Sequence, residues 1–161
     1  MTIIIRDATV KEFRGSYSFL SNFYPAEIKY ERLTFPTVEN AYQAAKCAYK
    51  ENMLAFTVCS PSRAKKLGRE VKIIQNWENR KVAIMKDLLR QKFTISDLRH
   101  ILLATGSALL IEGNYWGDEF WGVCKGKGLN ILGNLLMEIR AEISAQTSQQ
   151  SHNPPSDEVP I

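Results

Sequence analysis

At 161 residues, with 45% apolar and 24% charged side chains, the chain suits one domain able to bury a real core. Its two histidines, His100 and His152, argue against a histidine-based zinc site and a Ser-His-Asp triad, so any catalysis must draw on carboxylates, amines, amides and backbone groups. The net charge is +4, and because the stretch after residue 145 carries only Asp157 and Glu158, the body stands at about +6, which suits a phosphorylated small molecule or nucleotide and permits nucleic acid.

Met1 to Asp7 has no basic segment followed by a long apolar run, so it does not read as a signal peptide, and Ile3-Ile4-Ile5 predicts a short first strand. Phe13 to Asn22 is polar and aromatic and reads as loop. Ile28-Lys29-Tyr30 and Leu33-Thr34-Phe35 alternate around Glu31-Arg32, the pattern of a hairpin. Pro36 ends it, and Thr37 caps a helix. Ser60-Pro61 predicts another helix start, with Gly68 as its stop. Asn76 to Phe93 forms a long amphipathic helix on Val82, Met85, Leu88, Leu89 and Phe93. A further helix spans Ser96 to Thr105, and Leu109-Leu110-Ile111 reads as strand. Asn114 to Gly128 predicts an ordered, glycine-rich and aromatic loop. The last helix runs from Leu129 to Ile143.

From residue 146 onward Gln, Ser, Asn and Pro dominate, and a disordered tail over 146–161 is expected after a domain of residues 1–145. No apolar run approaches the length of a membrane span. Cys47, Cys59 and Cys124 form no CxxC pair and read as reduced thiols, the pattern of a cytoplasmic protein. The whole predicts a single helix-rich α+β domain with a small β-sheet.

Five stretches could carry chemistry. Glu39, Gln43 and Lys46 stand at i, i+4 and i+7, which places a carboxylate, an amide and an amine on one stripe beside apolar Val38, Ala41, Tyr42 and Ala45. That stripe is either the wall of a site or an exposed row of pairing side chains. In Asn114-Tyr115-Trp116-Gly117-Asp118, two aromatics beside an acid suit ring stacking with a proton donor nearby, or a turn whose aspartate caps backbone. Gly126, Lys127 and Gly128, followed by Asn130 at a helix start, favour phosphate contact through backbone amides, although the spacing is neither a Walker loop nor a dinucleotide fingerprint. In Ser60 to Arg69 most charge reads as solvated helix face, and Arg69 is the one expected to reach a phosphate. Trp77 is either core or a stacking wall.

In order along the chain, six motifs resemble the YbiA/NADAR family of N-glycosidases. They are Phe19-Leu20-Ser21-Asn22-Phe23; Phe35-Pro36-Thr37 with Glu39, Tyr42, Gln43 and Lys46; Ser60-Pro61 with Ala64 and Leu67-Gly68-Arg69; Asn76-Trp77; Tyr115-Trp116-Gly117-Asp118; and Gly126-x-Gly128-x-Asn130-x-Leu132-Gly133. Together they cover roughly residues 13 to 143. Two departures stand out: Asn40 occupies a position where many relatives carry histidine, and Phe120 to Cys124 is more apolar than the pattern suggests.

The resemblance implies hydrolysis of a ribosyl C1–N bond, with no cofactor and no metal. It implies one of two substrate classes, ADP-ribose on guanine in nucleic acid or nucleotides, or the ribosylamino-pyrimidine phosphates of riboflavin synthesis. It implies Glu39, Lys46 and Asp118 as catalytic groups. Asn22, Phe23, Tyr42, Gln43, Arg69, Trp77, Trp116, Gly117, Gly126, Lys127, Gly128 and Asn130 would then surround the substrate. A module that binds ADP-ribose without turning it over is the rival reading from another class. Neither membrane association nor a particular oligomeric state is implied.

Overall fold

Every residue of helix α1 (Val38–Ala45) is buried, polar ones included. A short helix buried on all sides has its neighbours on every face. Here they are α2 (Pro61–Leu67), α3 (Trp77–Lys92), a 3-10 helix over Lys50–Thr57, and the hairpin of β2 (Ile28–Tyr30) and β3 (Leu33–Phe35). The computed structural model describes residues 8–152, so the strand expected over Ile3 to Ile5 lies outside the described residues.

Local chemistry accounts for most boundaries. The Thr37 hydroxyl accepts from the Asn40 amide at 3.1 Å, and the Ser60 hydroxyl caps α2 by accepting from Arg63 at 3.1 Å, with Pro61 at the first helical position. The β2–β3 hairpin turns on Glu31 and Arg32, both with positive φ, as a two-residue loop of primed type requires. The Gln91 amide donates to the Lys29 carbonyl at 2.8 Å and so ties the hairpin to α3. Helix α4 (Ser96–Ala104) and helix α5 (Ile131–Gln150) complete the helical layer. Fully buried Leu20, Ile28, Phe35, Phe56, Met85, Leu89, Phe93, Leu102, Leu110, Leu136 and Ile139 make one core, each such side chain contributing about 1.5–3 kcal/mol relative to exposure.

The helix-rich α+β class is as expected, and three details within it differ. Residues 13–22, read as loop, contain a 3-10 helix over Gly15–Leu20 that buries Phe19 and Leu20. In place of one small sheet, the described residues hold three two-stranded ladders. Strand β1 (Thr9–Val10) pairs in parallel with β4 (Leu109–Leu110), β2 with β3, and β5 (Gly113–Asn114) in parallel with β6 (Val123–Cys124). The last helix continues past Ile143 through Gln150, because nothing in that Gln-, Ala- and Ser-rich stretch breaks a helix before Pro154. Residues 153–161 lie outside the described residues.

Candidate active site

The Glu39–Gln43–Lys46 stripe faces a cavity of about 470 Å³, within the usual range for a small-molecule site. Gln43 Nε2 donates to Glu39 Oε1 at 2.8 Å, and the Glu39 backbone amide donates to the Asn22 carbonyl at 3.0 Å. Burial pushes the Glu39 carboxyl up, against the pull of the Gln43 amide and the Lys65 and Lys46 ammonium groups. Burial pushes the Lys46 amine down; Glu39 opposes that and Arg69 adds to it. The other side of α1 is structural. Asn40 is fully buried and its amide donates to the Phe56 carbonyl at 2.9 Å and the Cys59 carbonyl at 2.8 Å, so it clamps the 3-10 segment to the helix.

A second wall is the Ser21-Asn22-Phe23 turn. The Lys92 ammonium, fully buried at the end of α3, donates to the Ser21 carbonyl at 2.8 Å and holds this turn. Asn22 Nδ2 rests 3.5 Å from Met85 Sδ. Among the described residues, the buried Asn22 Oδ1 and Gln43 Oε1 acceptors have no hydrogen-bond partner, a costly arrangement of the kind that clusters at functional sites.

The third wall comes from residues 112–121. Asp118 lines the cavity while its Oδ1 accepts from the Phe120 amide at 3.1 Å and the Trp121 amide at 2.9 Å, so one oxygen is committed to the turn. Trp121 meets the Tyr42 ring edge-on at 5.5 Å. Trp116, half exposed at 48%, stands at the mouth with Tyr115 edge-on at 5.2 Å. The Arg14 guanidinium lies 4.8 Å from the Tyr115 ring centre, and the Lys65 ammonium lies 5.4 Å from that of Trp116.

Of the residues singled out from sequence, Asn22, Phe23, Glu39, Tyr42, Gln43, Lys46, Trp116 and Asp118 line this one cavity. Trp77 stands behind the wall, buried and packed on Tyr42 at 5.2 Å. Arg69 is exposed outside the lining, close enough for its charge to act on Lys46. Gly117 is exposed beside Trp116. Gly126, Lys127 and Gly128 are exposed and stand outside the lining. Asn130 is committed elsewhere: its amide donates to the Leu110 carbonyl at 2.9 Å and its Oδ1 accepts from the Glu112 amide at 3.0 Å.

Sequence reasoning did not select Arg14, Lys65, Glu112 or Trp121, all of which reach the cavity. Lys65 was legible only as part of a solvated face, and Trp121 only as part of an apolar departure. Among the described residues, no group of three His, Cys, Asp or Glu side chains is arranged to hold a metal ion.

A description of the NADAR domain matches residues 10–144, and the chain belongs to that family. It is 36% identical over 155 residues to N-glycosidase YbiA of Escherichia coli strain K12, a match covering 89% of this chain and 93% of that protein. It is 34% identical over 147 residues to the chloroplastic riboflavin biosynthesis protein PYRR of Zea mays, covering 79% of this chain and 23% of the maize protein. The NMR structure of E. coli YbiA is similar with a TM-score of 0.79 at 33% identity, covering 94% of each chain.

Proposed function

We propose that this NADAR-family chain is a hydrolase acting on N-glycosyl bonds, and that it cleaves the C1–N bond between a phosphorylated ribose and a flat heterocycle. The observation that carries the reading is a buried carboxylate, Glu39, fixed by the Gln43 amide on the wall of a cavity that also holds lysine, aromatic rings and unpartnered amide oxygens. Breaking the bond builds oxocarbenium-like charge on the sugar, and a preorganised carboxylate in a water-poor pocket stabilises it. Asn22 Oδ1 and Gln43 Oε1 are acceptors suited to sugar hydroxyls. Tyr42, Trp121 and Trp116 offer faces to the heterocycle. Arg14 and Lys65 are the cations that line the cavity near its mouth, where phosphate would sit.

Lys46 has a further role in this reading. Its amine, made easier to deprotonate by burial, adds to the sugar C1 as the base departs; the ring C1–O4′ bond then opens, with the proton from the lysine nitrogen passing to O4′, and water hydrolyses the imine so formed, returning the free amine and the sugar. Borohydride trapping of a covalent adduct, lost in Lys46→Ala, tests that step. Absence of an adduct in an active wild type refutes it. Asp118 shares its carboxylate between the turn and the cavity and serves as the second acid of the wall.

The substrate class we favour is ADP-ribose linked to guanine in nucleic acid or nucleotides. Its second phosphate and second ring need surface beyond the pocket, and the rim of exposed Arg14, Tyr115 and Trp116 with half-buried Lys65 supplies cations and ring faces there. The name of the maize relative favours a second class, the ribosylamino-pyrimidine phosphates. A reader without turnover would gain little from burying a carboxylate beside a phosphate-bearing ligand.

The test is ADP-ribose release from a guanine-ADP-ribosylated DNA oligonucleotide, followed by mass spectrometry, with Glu39→Gln alongside. Removing such a stabiliser costs on the order of 100-fold or more in rate. Full activity in Glu39→Gln would refute its role. No release by folded wild type would transfer the assignment to the riboflavin intermediates, and no turnover of those would leave the reader.

A further inference from the structure

We propose that Glu112 is the general acid of the reaction, giving its carboxyl proton to the heterocycle nitrogen as the C1–N bond breaks. This rests on the N-glycosidase reading above. Glu112 reaches the cavity from the segment between β4 and β5, so the fold brings it to the same cavity as the α1 stripe.

Its placement is held on every side. The Glu112 amide donates to Asn130 Oδ1 at 3.0 Å, and its carbonyl accepts from the Val123 amide at 2.9 Å. Asn114 Nδ2 donates to Glu112 Oε2 at 3.3 Å. The carboxylate lies against Gly122, where a Cβ would stand 1.8 Å from Oε2 and 2.2 Å from the Glu112 carbonyl, so only glycine leaves it room. The Asn130 and Gly122 positions thus act on the chemistry through Glu112.

Charged neighbours divide the two glutamates. Burial raises the Glu39 carboxyl most; among its neighbours the Gln43 amide, Lys65 and Lys46 favour the ionised form and Asp118 opposes it. Glu112 is faced by carboxylates, Asp118 first and then Glu39, with the Asn114 amide and Lys65 opposing. Burial acts on both; with Asp118 beside it, Glu112 is pushed up to about 7. Burial pushes both carboxyls up, and the charged neighbours are what differ, an amide and two ammonium groups at Glu39 against a carboxylate at Glu112; that asymmetry is what lets one acid donate a proton while the other takes up charge.

The accounts balance. The C1–N electron pair leaves with the nitrogen, which takes the Glu112 proton. Over the whole cycle the water oxygen ends on C1 in place of the Lys46 nitrogen, and a water proton restores the acid.

The experiment is the pH dependence of kcat for wild type, Glu112→Gln, Glu112→Asp and Glu39→Gln on whichever N-ribosyl substrate wild type cleaves, with thermal melts and KM recorded for each. Wild-type kcat is expected to fall above about pH 7. Glu112→Gln is expected to lose on the order of 100-fold in kcat, with KM close to wild type, and to lose the basic limb altogether. Glu112→Asp retains a basic limb at reduced kcat, which keeps the test alive if the glutamine variant fails to fold; an aspartate variant with unchanged rate and profile overturns the proposal. A basic limb that persists in Glu112→Gln, or one that vanishes in Glu39→Gln instead, also overturns it. An active wild type with a fully active Glu112→Gln sinks Glu112 alone, whereas a wild type that cleaves no N-ribosyl substrate sinks the N-glycosidase reading and this proposal with it.

Discussion

Replacing Gly68 by alanine adds one methyl group outside the cavity and is expected to damage the site through Gln43. Gly68 closes α2 with φ −61° and ψ −18°, a helical geometry that any residue adopts, so its requirement is one of space. A Cβ there would stand 1.9 Å from Gln43 Oε1 and 2.8 Å from Gln43 Cδ. The amide must therefore retreat by ~1 Å or more to reach van der Waals contact. Gln43 is only 4% exposed, and its Nε2–Glu39 Oε1 bond of 2.8 Å does not survive such a shift.

A hydrogen bond to a charged group contributes about 1.5–3 kcal/mol, so full expression in the transition state means a loss of about 10- to 150-fold in kcat/KM. Stability moves differently. Alanine in a helical position gains about 0.5–1 kcal/mol over glycine, which offsets part of the strain. Activity and stability should thus part company, with a large fall in kcat/KM and a small change in the urea midpoint. The decisive assay is a double-mutant cycle with Gln43→Ala. With the amide gone there is nothing to displace, so Gly68→Ala should add no further loss. An equal loss in both backgrounds, or a Gly68→Ala enzyme within twofold of wild type, would refute the reasoning.

Two other perturbations test the walls. Burial holds the Lys92 amine down at about 7 against an ordinary 10.5, so the folded chain sheds this proton where the unfolded chain keeps it. Stability then rises with pH between these values, by about 2 kcal/mol from pH 7 to 9 for this group. Urea unfolding of Lys92→Met should lack that increment, and equal pH dependence in the two proteins would count against it. At the mouth, Arg14→Ala and Lys65→Ala should each raise KM about tenfold or more and leave kcat within a few fold, since each removes a charge-assisted contact to phosphate and none to the sugar. An unchanged KM for both would place the phosphate elsewhere.

The α1 stripe was legible because it depends on spacing alone. Three polar residues at i, i+4 and i+7 share a helical face whatever surrounds the helix, and Thr37 marks where that helix begins. The Ser60-Pro61 start, the Glu31-Arg32 hairpin and the long α3 were readable for the same reason: caps, turns and periodicity act within a few residues. Composition misled at residue 146, where Gln and Ser suggested disorder but carry helix through Gln150.

What tertiary structure alone decided is which of several chemically equal residues enter the cavity. Lys65 and Lys66 are neighbours on one short helix, yet only Lys65 lines the site. Lys127 and Arg69 had as good a claim to phosphate as Arg14, but the first stays on an exposed loop and the second stands outside the wall, while Arg14 is brought over Tyr115 and Trp116. Glu112 gives no local sign of its role, because its burial, its carboxylate neighbours and the glycine that makes room for it come from segments far apart in the chain. Sequence by itself determined the five α-helices among the described residues, the polar stripe of α1 and the family, but neither 3-10 segment. The company each charge keeps was decided only when long-range packing removed water and brought distant side chains together.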